Sequence, residues 1–160
     1  MRTDFEVKHA PTAEPAPMRP FSRSLPMALL RAREAAMRLF RPSLQAHDLT
    51  EQQWRVLRAL GAVEAVEATQ LARLTFLLAP SLTRILRDLE ARKLIRRRAN
   101  PSDRRAAEIT LSARGLELMR AVGPESEAVY RGIEARLGEA RLGRLMELLA
   151  EVEALLGEAD

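Results

Sequence analysis

The stretch APSLTRILRDLEARKLIRRRANPSDRRAAEITLSARG, residues 79–115, decides the fold. Leu82, Ile85, Leu86 and Leu89 recur at the spacing of one helical face, while Ser81, Thr83, Arg84, Arg87 and Asp88 fall largely on others. This predicts a helix from about Pro80 to Arg92. Proline suits its first turn, where the N–H that proline lacks has no intrahelical partner to lose. Leu94–Ala99 and Ala106–Leu111 then read as two short strands, because Asn100-Pro101-Ser102-Asp103 between them is turn chemistry. Helix plus basic ribbon predicts a reading head with a wing.

Charge supports that reading. Between Ala79 and Arg105 nine cations face three acids, a net of +6, whereas the whole chain carries +4, so the remainder is −2. A positive charge gathered in one segment is the electrostatic footprint of a phosphate-binding surface. A helical interaction scaffold or an enzyme would leave that cluster unexplained, and no nucleophile elbow, phosphate loop or metal-ligand spacing is present. No catalytic residue, metal or cofactor is expected. The absence of cysteine excludes disulfides and thiolate sites.

Working outward, Thr50 and Gln53 form a capping box that opens a helix through Trp54, Leu57 and Leu60 to Gly61. A short helix near Ala68–Leu74 follows, with Leu71 and Leu74 expected to point inward. Upstream, Leu25 to about Ala46 has the apolar series Leu30, Met37, Phe40 and Leu44, with Pro42 a candidate kink. Downstream, Ser112 is a candidate cap for a long helix. There Leu116, Met119, Gly123, Ser126, Tyr130, Ile133 and Leu137 are spaced by threes and fours, and Gly123-Pro124 is a candidate bend. After Gly138 a last helix carries the seam Leu142, Leu145, Leu149, Val152 and Leu156. Long amphipathic helices around a small reading head predict a two-fold homodimer on a palindromic double-stranded DNA operator, with intramolecular packing the alternative. The expected organisation is a disordered tail over 1–22, an N-terminal dimerisation helix over 23–48, a winged helix-turn-helix region over 49–111 and C-terminal dimerisation helices over 112–160. The fold class is mainly α. The proline-rich start has no signal peptide or membrane span, and no membrane partner is expected.

The pattern resembles the MarR family of bacterial winged helix-turn-helix regulators. Leu89-Glu90, Leu94-Ile95, Asp103-Arg104-Arg105, Leu111-Ser112 and Gly115 stand where that family has its reading-helix end, wing entry, wing tip and the start of the next helix. Lys93 departs from the glycine usual at the helix end and calls for a left-handed backbone, and Ser112 stands for threonine. Two further stretches, Leu29–Ala36 and Leu49–Arg55, are similar to the subgroup that regulates homoprotocatechuate (aromatic acid) degradation. The resemblance implies a homodimeric cytoplasmic repressor released from its operator by a small aromatic carboxylate or its CoA thioester. A constitutive DNA-binding dimer is the alternative.

In the family the reading helix lies in the major groove, so the resemblance implies that Ser81, Thr83, Arg84 and Arg87 meet base edges and phosphates. The alternative for Arg84 and Arg87 is pairing with Asp88 and Glu90 on a solvated face. By the same resemblance Arg105 enters the minor groove with Asp103 holding it, while Arg97, Arg98 and Arg104 touch phosphates. For the effector, Arg33 interrupts the apolar series of the first helix and demands a carboxylate, from Glu51 or from a ligand, since Glu34 cannot face the same way. Met37, Trp54, Arg55 and Arg58 supply apolar wall and further cations, and His47 is a candidate ligand contact or a surface histidine. The alternative is a structural ion pair with Trp54 as plain core.

Overall fold

The computed structural model describes residues 18–99 and 107–157. The expected tail up to residue 17, the turn at 100–102, and Asp103, Arg104 and Arg105 lie outside the described residues. Internal packing divides the chain into two units, 1–36 and 37–160. In the first, a 3-10 turn at Phe21–Arg23 precedes α1 (Leu25–Ala46), and Arg31 donates to the Ser22 carbonyl at 3.1 Å. The helix α1 enters the second unit at Met37 and runs through Pro42 without the interruption expected there.

The second unit continues with α2 (Glu51–Gly61), β1 (Val66–Glu67), α3 (Ala68–Thr75), α4 (Ala79–Ala91), β2 (Ile95–Ala99), β3 (Ala107–Leu111), α5 (Ala113–Leu137) and α6 (Glu139–Leu156). Local chemistry explains most boundaries. The Thr50 hydroxyl accepts from the Gln53 N–H at 3.1 Å, and the Gln53 side chain accepts from the Thr50 N–H at 2.8 Å, closing the capping box of α2. Arg92 ends α4 and Lys93 turns left-handed at φ 61°, as its place at a helix end demanded. Ser112 caps α5 by accepting from the Gly115 N–H at 2.9 Å, and it also donates to the Lys93 carbonyl at 2.7 Å. Gly115 is needed at that junction because a Cβ there would lie 2.1 Å from the Leu94 carbonyl oxygen.

The wing is part of a three-stranded antiparallel sheet of order β1-β3-β2, one strand more than the ribbon expected from sequence. The added strand is two residues long, with Val66 opposite Ile109, too short to leave a period in the sequence. In the β2–β3 ladder Ile95 pairs with Leu111, Arg97 with Ile109 and Arg98 with Glu108.

Val56, Leu57 and Leu60 of α2, Leu71 of α3 and Leu82, Leu86 and Leu89 of α4 form one buried cluster with Leu94, Ile95, Ile109 and Val122. Each such side chain stabilises the fold by about 1.5–3 kcal/mol through water exclusion. One inward assignment changes. Leu74 is 51% exposed, and the buried place goes to Thr75, one full turn after Leu71, with its hydroxyl donating to the Leu71 carbonyl at 2.6 Å. In α5 the buried side is Gly115, Val122 and Ser126, with Leu118 and Met119 packed against the core, whereas Leu116, Tyr130 and Leu137 of the expected seam are exposed. No residue of α6 is buried within the chain. Among the described residues no helix is long and apolar enough to cross a membrane.

Candidate nucleic-acid interface

Burial of Leu82, Leu86 and Leu89 fixes the rotation of α4 and leaves Ser81, Thr83, Arg84 and Arg87 exposed on its other sides. The expected alternative for the two arginines does not occur. Asp88 instead accepts from Gln53 Nε2 at 2.6 Å and lies 3.8 Å from Arg92, while Glu90 pairs with Arg97 at 3.1 Å. Among the described residues Arg84, Arg87, Arg96 and Arg98 have no carboxylate partner. Each of these exposed, unneutralised guanidinium groups can take a phosphate or a guanine edge. The Thr83 hydroxyl donates to the Ala79 carbonyl at 2.9 Å, which leaves its lone pairs to accept from a ligand.

The wing carries the field away from the helix. Its strand β2 places Arg96, Arg97 and Arg98 in succession, and a cleft of about 700 Å³ opens between them, Arg114 and Glu117. Arg97 ties this strand to the end of α4 through Glu90, so the wing and the reading helix are held together by a charged contact as well as by Ile95 in the core. Arg92 secures the same helix end from behind, donating to the Asp48 carbonyl at 2.8 Å.

The residues expected to receive an effector are distributed differently from the sequence-based picture. Arg33 is 41% exposed and pairs with Glu34 at 2.7 Å, the neighbour thought to face away. Glu51, offered as its partner, pairs with Arg41. Arg55 donates to the Thr75 carbonyl at 3.0 Å and so closes the end of α3. Met37 and Trp54 are half-buried against the core, and Arg58, one turn after Trp54 on α2, is exposed with no carboxylate partner among the described residues.

His47 belongs to a cluster that sequence reasoning missed. Its Nε2 lies 3.1 Å from Glu125 Oε1, and the Ser43 hydroxyl donates to the other carboxylate oxygen. The Ser43 hydrogen bond first, and the His47 contact second, hold the Glu125 carboxyl below its ordinary value. The three residues tie the end of α1 to the middle of α5, close to the edge-to-face contact of Phe40 and Tyr130 with ring centroids 5.1 Å apart. Ser43 and Glu125 are 82 residues apart, and nothing in their spacing signals the pair.

Known proteins share this arrangement. The sequence pattern of the MarR family matches residues 47–106, from the end of α1 through the wing. The homoprotocatechuate degradative operon repressor of Escherichia coli is 41% identical over 132 residues, which cover 82% of this chain and 89% of that protein. The crystal structure of NadR in complex with 4-hydroxyphenylacetate superposes with a TM-score of 0.75 at 35% identity, covering 91% of this chain and 100% of that one. The transcriptional repressor CouR, bound to a 23-mer DNA duplex, gives a TM-score of 0.76 at 27% identity over 82% of this chain and 93% of its own. A buried reading helix with unpaired arginines, a basic wing and these likenesses over most of the chain lead to one conclusion: the chain belongs to the MarR family of DNA-binding transcriptional regulators.

Proposed function

We propose that the protein is a homodimeric repressor that holds a palindromic operator through α4 and the wing and releases it on binding an aromatic carboxylate or its thioester. The observation that carries the DNA half is the set of four arginines on α4 and β2 without carboxylate partners beside a core-locked helix. Ser81, Thr83, Arg84 and Arg87 are the proposed major-groove contacts, Arg97, Arg98 and Arg104 the phosphate contacts, and Arg105, positioned by Asp103, the minor-groove contact. A DNA-bound repressor of this kind acts in the cytoplasm. The dimer rests on α6, where Leu145, Leu148, Leu149, Leu155 and Leu156 stay exposed within one chain.

For the effector, Trp54 and Arg58 stand one helical turn apart on α2, an aromatic surface beside an uncommitted cation. Arg55 is engaged at the Thr75 carbonyl and Arg33 at Glu34, so Arg58 is the cation of this group best placed to take a carboxylate, with Met37 and His47 as candidate neighbours. The relatives support the ligand class, since one represses a homoprotocatechuate degradative operon and another holds 4-hydroxyphenylacetate. The test is calorimetric titration with 4-hydroxyphenylacetate and related phenolic acids and thioesters, paired with release from the upstream region of the protein's own gene. Arg58→Met should keep operator binding and lose the response, and Arg33→Met should keep both. Operator binding indifferent to every acid and thioester would leave a constitutive DNA-binding dimer.

A further inference from the structure

The turn that delivers the reading helix carries an anomaly that charge does not explain. Leu78 is the N-cap of α4 and is 78% exposed, and Phe76, two residues before it, is 82% exposed with φ 51°. A serine, threonine or aspartate at that cap would stabilise the helix, and a bulky residue in the left-handed region is disfavoured. Leu78 makes no side-chain cap. The turn is nonetheless held firmly: Leu77 packs against the core, its N–H donates to the Ala72 carbonyl at 3.1 Å, and the Leu78 carbonyl accepts from Leu82 at 3.0 Å. An apolar side chain is thus presented to water from a fixed backbone, followed by exposed Ala79 and Pro80.

We propose that Leu78 reads DNA sequence by packing on the C5-methyl group of thymine in the major groove. The proposal rests on the reading of α4 as the groove-facing helix. The backbone at Leu78 is extended, φ −64° and ψ 140°, so its side chain departs from the core stripe that Leu82, Leu86 and Leu89 continue. Thymine alone among the bases offers a methyl group in the major groove, and leading residues of a reading helix meet base edges there. The flanking surface selects the occupant. Arg84 and Arg87, further along the same helix, are exposed and lack carboxylates, so the apolar spot leads a helix whose free cations fit base edges and phosphates, the combination that a duplex presents in complement. Hydrogen-bonding side chains would set part of the operator sequence, and one leucine would demand thymine at one position in each half-site.

The experiment uses the intact protein and duplexes selected from a random-sequence library. Each thymine of the selected duplex is replaced in turn by deoxyuridine, which removes only the methyl group. One position per half-site should then weaken wild-type binding about three- to tenfold, the scale of one lost apolar contact. Leu78→Ser removes the apolar contact and supplies a capping hydroxyl, so its thermal midpoint should equal or exceed that of the wild type. The variant should bind thymine and deoxyuridine duplexes equally. Full wild-type affinity for every deoxyuridine duplex would overturn the proposal, as would an undiminished methyl preference in Leu78→Ser. Failure of the library to enrich any sequence would overturn the DNA-reading assignment as well.

Discussion

The α3–α4–wing region and the α5–α6 region use the same residue types to opposite ends. In the first, Leu82, Leu86 and Leu89 of α4 are buried, and Arg84, Arg87, Arg96 and Arg98 have no carboxylate partner among the described residues. In the second, α6 buries nothing, its arginine at 144 is paired with Glu147 and Glu151, and Leu145, Met146, Leu148, Leu149, Leu155 and Leu156 are exposed. The first region closes its core and keeps four arginines without carboxylate partners; the second leaves a run of large apolar side chains exposed. The first is complete as a fold and lacks a polyanion, whereas the second lacks a second protein surface.

The sharpest way to break the comparison is to put charge into the apolar half. Leu149→Glu places a carboxylate among the exposed leucines of α6 and, in the proposed dimer, buries it without a partner at a cost of about 3 kcal/mol or more. Sedimentation should show monomer, and operator affinity should collapse because two linked half-site contacts become one. The cationic half is untouched, so weak binding to unrelated duplex should persist. A normal dimer with normal affinity would place that face elsewhere.

Next in size is the junction between the halves. Gly115 packs the start of α5 against the Leu94 carbonyl, and Gly115→Ala would drive a methyl to 2.1 Å from that oxygen. The first turn of α5 must shift, and denaturant unfolding should show a loss of about 2–3 kcal/mol. Little or no loss would show that α5 can slide without disturbing the wing. Smaller again is Arg98→Ala on β2, which removes one exposed cation and leaves Ile95 and Arg97 in place. The slope of log affinity against log salt should flatten by about 0.9, with all sequences weakened alike. A changed sequence preference would mean that Arg98 touches bases.

Sequence alone was most informative where structure is local. The capping box at Thr50 and Gln53, the stripe of α4, the left-handed Lys93, the Ser112 cap and the break at Gly138 each depend on residues within one or two turns. It failed where two local solutions compete. In α3 both Leu74 and Thr75 can follow Leu71 inward, and Thr75 takes the buried place with its hydroxyl satisfied by the Leu71 carbonyl one turn earlier. Pairings across the fold were invisible: Arg41 with Glu51, Gln53 with Asp88, and Ser43 and His47 with Glu125 come together only after α1, α2, α4 and α5 have packed. The cations named for an effector were sorted only by these pairings, since arginines alike in sequence differ in whether a carbonyl or carboxylate already holds them.

The smallest expected effect separates the two regions by pH. The Ser43 hydroxyl and the His47 ring lower the Glu125 carboxyl, so the folded state holds its proton less tightly than the unfolded chain does. A carboxylate depressed on folding contributes stability that is fully present above its ordinary value, near 4.5, and fades as pH falls through the lowered folded value. The contact is exposed, so screening keeps the contribution small. Ser43→Ala removes the larger cause while sparing the core and the cationic face. Its thermal midpoint should therefore sit slightly below the wild type at neutral pH and converge on it as pH falls through the lowered Glu125 value. Operator affinity at neutral pH should be unchanged. A constant offset across that range would mean that the serine acts through packing, and no offset at any pH would mean that the link from α1 to α5 is carried by Phe40 and Tyr130 instead.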